Sequence, residues 1–189
     1  MNPVDPGGSE QPLPNEASLV REAKSGVADA FARLYEAYVG RIYRYIYFRV
    51  TDDQAAEDLT SQVFLKAWER LDRYQASGPF QAWLYTIARN QVIDYYRTRK
   101  ESIPLEAVSA RPADHKAVDD QVEGNFELQA MRNALQFLTA DQQQVLILKF
   151  IAELSTAEIA RMLHKQEGAI RALQMRALQT LAKYMDGEQ

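Results

Sequence analysis

TAEIARMLHKQEGAIRALQMR, residues 156–176, carries the clearest structural signal in the chain. A helix-turn-helix needs a small residue where two helices touch, apolar residues that lock the pair, and a tight turn between them. Ala160 supplies the small contact, and Ile159, Leu163, Ile170 and Leu173 supply the lock. His164 stands in the turn, where glycine is usual because the backbone there takes positive φ; histidine tolerates that conformation at some cost. The second helix shows Arg171, Met175 and Arg176 outward, with Lys165 and Gln166 at its start, where helix amides point toward a phosphate. An ordinary helical hairpin with solvated arginines has the same local pattern, so the rest of the chain must decide between the two.

Upstream of this motif, Ser155 with Glu158 and Thr139 with Gln142 have the spacing of capping boxes. Leu128, Met131, Leu135 and Leu138 form one helical stripe, followed by Val145, Leu146, Leu148, Phe150 and Ile151. Earlier in the chain the pattern is helical from Glu16 to Lys100. Phe31, Leu34, Tyr35, Tyr38, Ile42, Tyr45 and Ile46 step by three and four. Thr51 with Gln54 reads as a capping box, and Ala56, Leu59, Val63, Ala67, Trp68 and Leu71 trace the stripe after it. Residues 74–78 break the period, and Pro79 suits the first position of a new helix. Phe80, Trp83, Leu84, Ile87 and Ala88 continue from there. No strand-like alternation and no internal repeat appears.

The expected architecture is therefore all-α, with two small helical domains joined by a flexible acidic linker and the helix-turn-helix in the second. The boundaries read as a disordered tail over 1–14, rich in proline and glycine, a first domain over 15–100, a linker over 101–124 and a second domain over 125–189. The net charge of −4 looks wrong for a nucleic-acid binder, but distribution outweighs the sum. Residues 1–100 hold thirteen basic and thirteen acidic groups, residues 101–127 two and seven, and residues 128–189 seven and six. The acidity is concentrated between the two helical parts.

Composition removes several function classes. The chain has no cysteine, hence no disulfide framework and no thiolate metal site. His115 and His164 are far apart and make no metal cluster. No phosphate-cradling glycine loop or nucleophile motif is present, so no catalytic residue, metal or cofactor is expected, and the chain reads as a non-enzyme. No apolar run approaches the roughly 18 residues a membrane span needs. The start of the chain has no signal-peptide pattern, and a cytoplasmic location is expected.

Two further clusters carry chemistry. Phe80, Trp83, Tyr85, Tyr95 and Tyr96 are interleaved with Arg89, Asn90, Gln91, Arg97, Arg99 and Lys100. Rings that stack on bases beside cations that meet phosphates suit single-stranded DNA, although many of these rings have an equal claim on the core. Residues 51–58, TDDQAAED, form an acidic helix start, which either complements the helix dipole or docks a basic partner.

These features in this order resemble the extracytoplasmic-function (group four) sigma factors, the minimal members of the primary-sigma superfamily. Residues 56–68, AEDLTSQVFLKAW, look like that family's second conserved region. Residues 80–90, FQAWLYTIARN, continuing to Tyr95, are similar to its promoter-melting helix. Residues 138–146 and 154–160 resemble its minus-35 domain. The resemblance implies an alternative sigma factor that binds RNA polymerase core, recognises minus-35 and minus-ten elements and promotes initiation. It implies that Asp58, Gln62 and Phe64 lie near the clamp helices of the largest polymerase subunit, with the flap as a second contact. It places a flipped minus-ten base in the loop of Tyr74, Gln75, Ala76 and Ser77. Asn90, Asp94, Arg97, Arg99 and Lys100 would contact the single strand. Lys165, Gln166, Arg171, Ala172, Met175 and Arg176 would read the minus-35 element. Promoter DNA and an anti-sigma factor are the other implied partners. The sequence departs from the family pattern at His164, Gln166 and residues 171–174, where glycine, a capping serine and a Lys-Ser-Arg-Leu run are usual, and at Ser61 and Gln62, where Gln-Glu is common. The other readings are a helix-turn-helix regulator acting without core polymerase, and a helical adaptor that binds only protein.

Overall fold

The computed structural model describes residues 13, 15–76, 78–101 and 123–185. Most of the expected tail and linker, together with Ser77, lies outside the described residues. Eight α-helices follow one another, and no strand occurs among the described residues. The all-α expectation holds, with four helices on each side of residues 102–122.

The N-terminal bundle comprises α1 (Glu16–Lys24), α2 (Ala28–Tyr47), α3 (Asp53–Arg70) and α4 (Phe80–Glu101). The chain turns from α1 into α2 at Ser25–Gly26, where φ of +92° at Gly26 calls for a residue without a Cβ. Leu34, Tyr38, Ile42, Tyr45 and Ile46 of α2 are buried as the stripe foresees, whereas Tyr35 is 42% exposed. Helix α3 starts one residue later than the sequence pattern predicts: Asp52, not Thr51, is the cap. Its Oδ1 accepts from the amides of Gln54 at 3.0 Å and Ala55 at 3.4 Å. A carboxylate at this position satisfies orphan amides and also meets the positive end of the helix dipole. Pro79 precedes α4 rather than opening it, and its carbonyl accepts from the amides of Ala82 and Trp83. Aromatic rings fill the centre: Tyr45 meets Tyr85 edge-on at 5.4 Å, and Tyr38 lies 5.9 Å from Phe80.

The C-terminal bundle comprises α5 (Glu123–Leu135), α6 (Ala140–Leu146), a π turn (Ile147–Ile151), α7 (Thr156–Leu163) and α8 (Glu167–Met185). Both expected capping boxes are formed, at Thr139 with Gln142 and at Ser155 with Glu158. Val145, Leu146, Ile147 and Leu148 are consecutive and all buried, which no single helical stripe produces. Packing from several sides accounts for it: α8 lies on α6, while α2 and α7 lie on the π turn, where Ala152 donates to the Ile147 carbonyl five residues back. Met131, expected on the apolar stripe of α5, is 39% exposed. His164 takes the left-handed conformation expected of it, φ 52° and ψ 41°, and caps α7. Ile159, Ala160, Ile170 and Ala177 are buried between α7 and α8, with Leu163 and Leu173 partly buried beside them.

Two outcomes follow from this packing. A left-handed backbone costs an L-residue roughly 1–2 kcal/mol, and the flexibility of an unfolded glycine returns about half of that. His164→Gly is therefore expected to raise stability by about 0.5–1 kcal/mol, read from the urea midpoint; a lower midpoint would mean that the imidazole contributes more than the strain removes. Burial raises the hydroxyl pKa of Tyr38, Tyr45 and Tyr85, with the Glu16 carboxylate adding to the effect at Tyr38. An unfolded tyrosine ionises near pH ~10 while these stay protonated, so the unfolded chain binds fewer protons and stability falls as pH rises past ~10. Urea titrations across that range, with phenolate absorbance as a second signal, check the slope; a flat midpoint would contradict it.

Candidate polymerase and nucleic-acid interfaces

The α3 face is the first candidate surface. Asp58 is exposed and accepts from the Gln54 side chain at 3.3 Å. Gln62 is exposed, and its carbonyl accepts from the Gln91 amide at 3.0 Å; the Gln91 carbonyl in turn accepts from Lys66. Phe64, expected on this face, belongs to the core instead. It is 5% exposed and meets the Tyr35 ring edge-on at 4.7 Å. Apolar groups on the outside are Leu65, 59% exposed, and Trp68, 42% exposed, the latter against Phe31. The sequence reading put Trp68 in the buried stripe and passed over Leu65. Leu65 lies outside the 56–59–63–67 series, and that offset was the available signal.

The loop between α3 and α4 is framed rather than filled by Tyr74. Its ring is buried between Phe80 at 5.7 Å and Trp83 at 5.2 Å, and its hydroxyl donates to the Gly78 carbonyl at 2.6 Å. Burial raises the Tyr74 pKa, so the group stays a donor. Lys24 of α1 donates to the Tyr74 carbonyl at 2.8 Å. Tyr74 thus pins the loop, in which Gln75, Ala76, Gly78 and Pro79 are exposed.

Asn90 is exposed and Asp94 half-buried on α4, one turn apart. With Lys66 and Arg70 of α3 they line a groove of about 230 Å³, which adjoins a second groove reaching Tyr95 and Arg99. Lys66 and Arg70 were not singled out in the sequence, because a stripe assigns residues to a face but not to a neighbouring helix. Arg97 pairs with Asp94 at 3.2 Å. Arg99 donates to the Tyr95 hydroxyl at 2.7 Å and lies over its ring. Lys100 continues the same helix. Tyr96 donates to the Arg49 carbonyl at 2.7 Å, and burial raises its pKa as well.

On α8, Arg171, Ala172, Met175 and Arg176 are all exposed, Met175 to 60%. Gln166 precedes the helix, and its carbonyl accepts from the amides of Ala169 and Ile170. The cations are held by neighbours: Lys165 by Asp141 at 3.1 Å, Arg171 by Glu167 at 2.9 Å, and Arg176 by the Ala172 carbonyl at 3.3 Å. Gln174 and Leu173 are both partly buried. An apolar groove of about 240 Å³ runs along the other side of this bundle, between Met131, Leu146, Phe150, Leu178 and Leu181.

Residues 34–102 match the model of Sigma-70 region 2, and residues 128–181 match that of Sigma-70 region 4. SigD of Mycobacterium tuberculosis, an ECF RNA polymerase sigma factor, is 33% identical over 171 residues, covering 87% of this chain and 81% of that one. The chain belongs to the ECF RNA polymerase sigma factors. BldN, an ECF RNA polymerase sigma factor of Streptomyces coelicolor, is 42% identical over 172 residues. That alignment covers 88% of this chain and 64% of BldN. Among solved structures, the sigma factor RpoE of Bartonella quintana, in complex with the anti-sigma factor NepR, has the same fold. Its TM-score is 0.69 at 23% identity, over 84% of this chain and 98% of that one. As an ECF sigma factor the chain is a transcription initiation factor, and no described helix is long and apolar enough to cross a membrane.

The ion pairs on α8 are exposed, so breaking them for a phosphate costs only about 0–1 kcal/mol. Arg171→Ala with Arg176→Ala should leave the urea midpoint nearly unchanged and weaken minus-35 duplex binding. Each lost phosphate contact lowers the salt slope by about one, whereas a contact to guanine removes ~1–3 kcal/mol at one base pair only. Unaltered duplex binding by the double variant would remove α8 as the reading surface.

Proposed function

We propose that this sigma factor binds RNA polymerase core and promoter DNA through four surfaces. The exposed side of α3, with Asp58, Gln62, Leu65 and Trp68, meets the clamp helices of the largest subunit. Phe64 supports that face from beneath. The apolar groove of the C-terminal bundle takes the flap. The loop tip at residues 75–77 captures a flipped minus-ten base, and the groove of Lys66, Arg70, Asn90 and Asp94, with Arg97, Arg99 and Lys100 beyond it, holds the unpaired strand. Helix α8, entered through Lys165 and Gln166, reads the minus-35 element through Arg171, Ala172, Met175 and Arg176. Residues 15–100 and 125–189 act as separate domains, with 1–14 a tail and 101–124 an acidic linker that occupies a polymerase channel built for nucleic acid. An anti-sigma factor is a further partner, as NepR is for RpoE. The chain works in the cytoplasm, catalyses nothing and needs no cofactor.

The observation that carries this reading is the groove between α3 and α4. It sets two cations, Lys66 and Arg70, opposite the exposed amide of Asn90. Melting needs unpaired bases to be held better than stacked ones. Stacking contributes ~1.4 kcal/mol per base-pair step, so a few well-held bases shift the balance. In transcription with purified core polymerase, Asn90→Ala should keep core binding and closed-complex formation and lose open complex, seen as weaker permanganate reactivity of unpaired thymines. Full reactivity in the variant, accompanied by a lower melting temperature, would make Asn90 structural and misplace the melting site.

A further inference from the structure

A buried polar side chain gives up solvation for direction, so its partners tell what it is for. Arg132 of α5 is 7% exposed, and its guanidinium is shared by the Asp53 carboxylate at 2.6 Å, the Val50 carbonyl and the Tyr47 ring at 4.1 Å. Thr60 of α3 donates to the Ala56 carbonyl of its own helix at 2.7 Å. Gln91 of α4, 4% exposed, differs from both: its two polar atoms reach side chains of α3 that come to the surface. Its carbonyl accepts from the Lys66 ammonium, and its amide donates to the Gln62 carbonyl at 3.0 Å. Gln62 is exposed and Lys66 half-buried, and Lys66 and Gln91 line the groove together with Arg70, Asn90 and Asp94.

The order of donors in this chain is dictated from one end. An ammonium only donates, so Gln91 must offer it the carbonyl oxygen and keep its NH2 for Gln62. Flipping the amide would aim N–H groups at a cation and set two carbonyl oxygens against each other. Two bonds of opposite sense therefore hold the side chain in one orientation. An apolar side chain of similar shape would fill the same place without desolvating an amide, so what Gln91 adds is direction. The cation it directs keeps its charge, because the tether is neutral. The carboxylates lining this groove and the one beside it are engaged elsewhere: Asp94 pairs with Arg97 at 3.2 Å, and Asp52 caps α3. The long lysine stem is thus ordered before any ligand arrives, with its full positive charge left for that ligand.

We propose that Gln91 is a positioning residue for the unpaired strand: it holds the Lys66 ammonium in place at the groove to meet a backbone phosphate. The proposal rests on the reading of that groove given under the proposed function. Freeing Lys66 leaves its charge intact but makes the stem lose its freedom on binding instead of on folding. A lost contact and a lost tether therefore leave different marks. Without the contact, affinity and salt slope fall together, the slope by about 0.7 for one phosphate of a single strand. Without the tether, affinity falls and the slope is retained.

The test uses the full chain assembled with core polymerase, and a fork probe whose non-template minus-ten segment is single-stranded, titrated at several salt concentrations. Lys66→Met should weaken probe binding about tenfold and lower the slope by about 0.7. Gln91→Met should weaken it about fivefold at the parental slope, and should add nothing in a Lys66→Met background. Gln91→Glu keeps an acceptor for Lys66 but offsets its charge, so affinity and slope should fall together; it replaces Gln91→Met if that variant melts early. The tether is read separately, in the free chain, from the rate at which an amine-acylating reagent modifies Lys66. That rate should rise about threefold in Gln91→Met and stay near the parent's in Gln91→Glu. An unchanged rate in folded Gln91→Met overturns the positioning role, as does an equal loss of probe binding from Gln91→Met with and without Lys66. Loss by Lys66→Met with parental binding by Gln91→Met would keep the groove and reject the role of Gln91. A raised rate with probe binding indifferent to Lys66→Met would reject the strand groove of the proposed function, and the role of Gln91 toward the strand with it.

Discussion

Four rings meet where α2, the α3–α4 loop and the start of α4 converge: Tyr38, Tyr74, Phe80 and Trp83. The N-terminal functional surface depends on this junction. Such contacts contribute about 0.5–1.5 kcal/mol per pair beyond the apolar area they bury. Their geometric effect matters more. Tyr74 closes the loop onto itself through Gly78, and Phe80 seats α4, so the angle between loop and helix is set by packing rather than by the loop's own few residues. The position of Asn90 along α4, and its distance from the loop tip, follows from where Phe80 and Trp83 are held. Lys24 extends the same junction to α1, which is how a helix remote from the groove helps to shape it.

Charge is organised on a different principle. Three of the cations proposed to meet DNA, Arg97, Lys165 and Arg171, sit in weak, largely exposed pairs with nearby carboxylates, so these three are pre-positioned yet cheap to release. Arg132 is the contrast: buried, shared among three partners and without a free surface for any ligand. The same residue type thus stands free to exchange partners in one setting and is fixed in the other, and burial separates the two. A net charge of −4 for the whole chain is compatible with both, because Debye screening near 8 Å lets local faces act independently of the total.

Much of this was legible in the sequence where the information is local. The capping boxes at Thr139 and Ser155, the left-handed turn at His164 and the α2 stripe are all short-range patterns enforced by backbone hydrogen bonding. The misses have a common cause. Asp52 displaced Thr51 because both residues are competent caps and only the approach of the chain selects one. Phe64 and Trp68 exchanged their expected environments because periodicity fixes a face to within a turn, whereas burial depends on which helix lies opposite. Arg132 was invisible: one arginine on an amphipathic helix reads as solvated, and its partners are about eighty positions away in the chain. The groove formed by Lys66 and Arg70 with Asn90 was missed for the same reason.

The π turn at Ile147–Ile151 has one more consequence. It lies against α2 of the N-terminal bundle as well as against α6 and α7 of its own. Four consecutive apolar residues run into it, and none of them has a solvent-facing side while the bundles are together. Polar substitution anywhere along this strip would therefore strain both bundles at once, because α2 on one side and α6 and α7 on the other share its apolar surface.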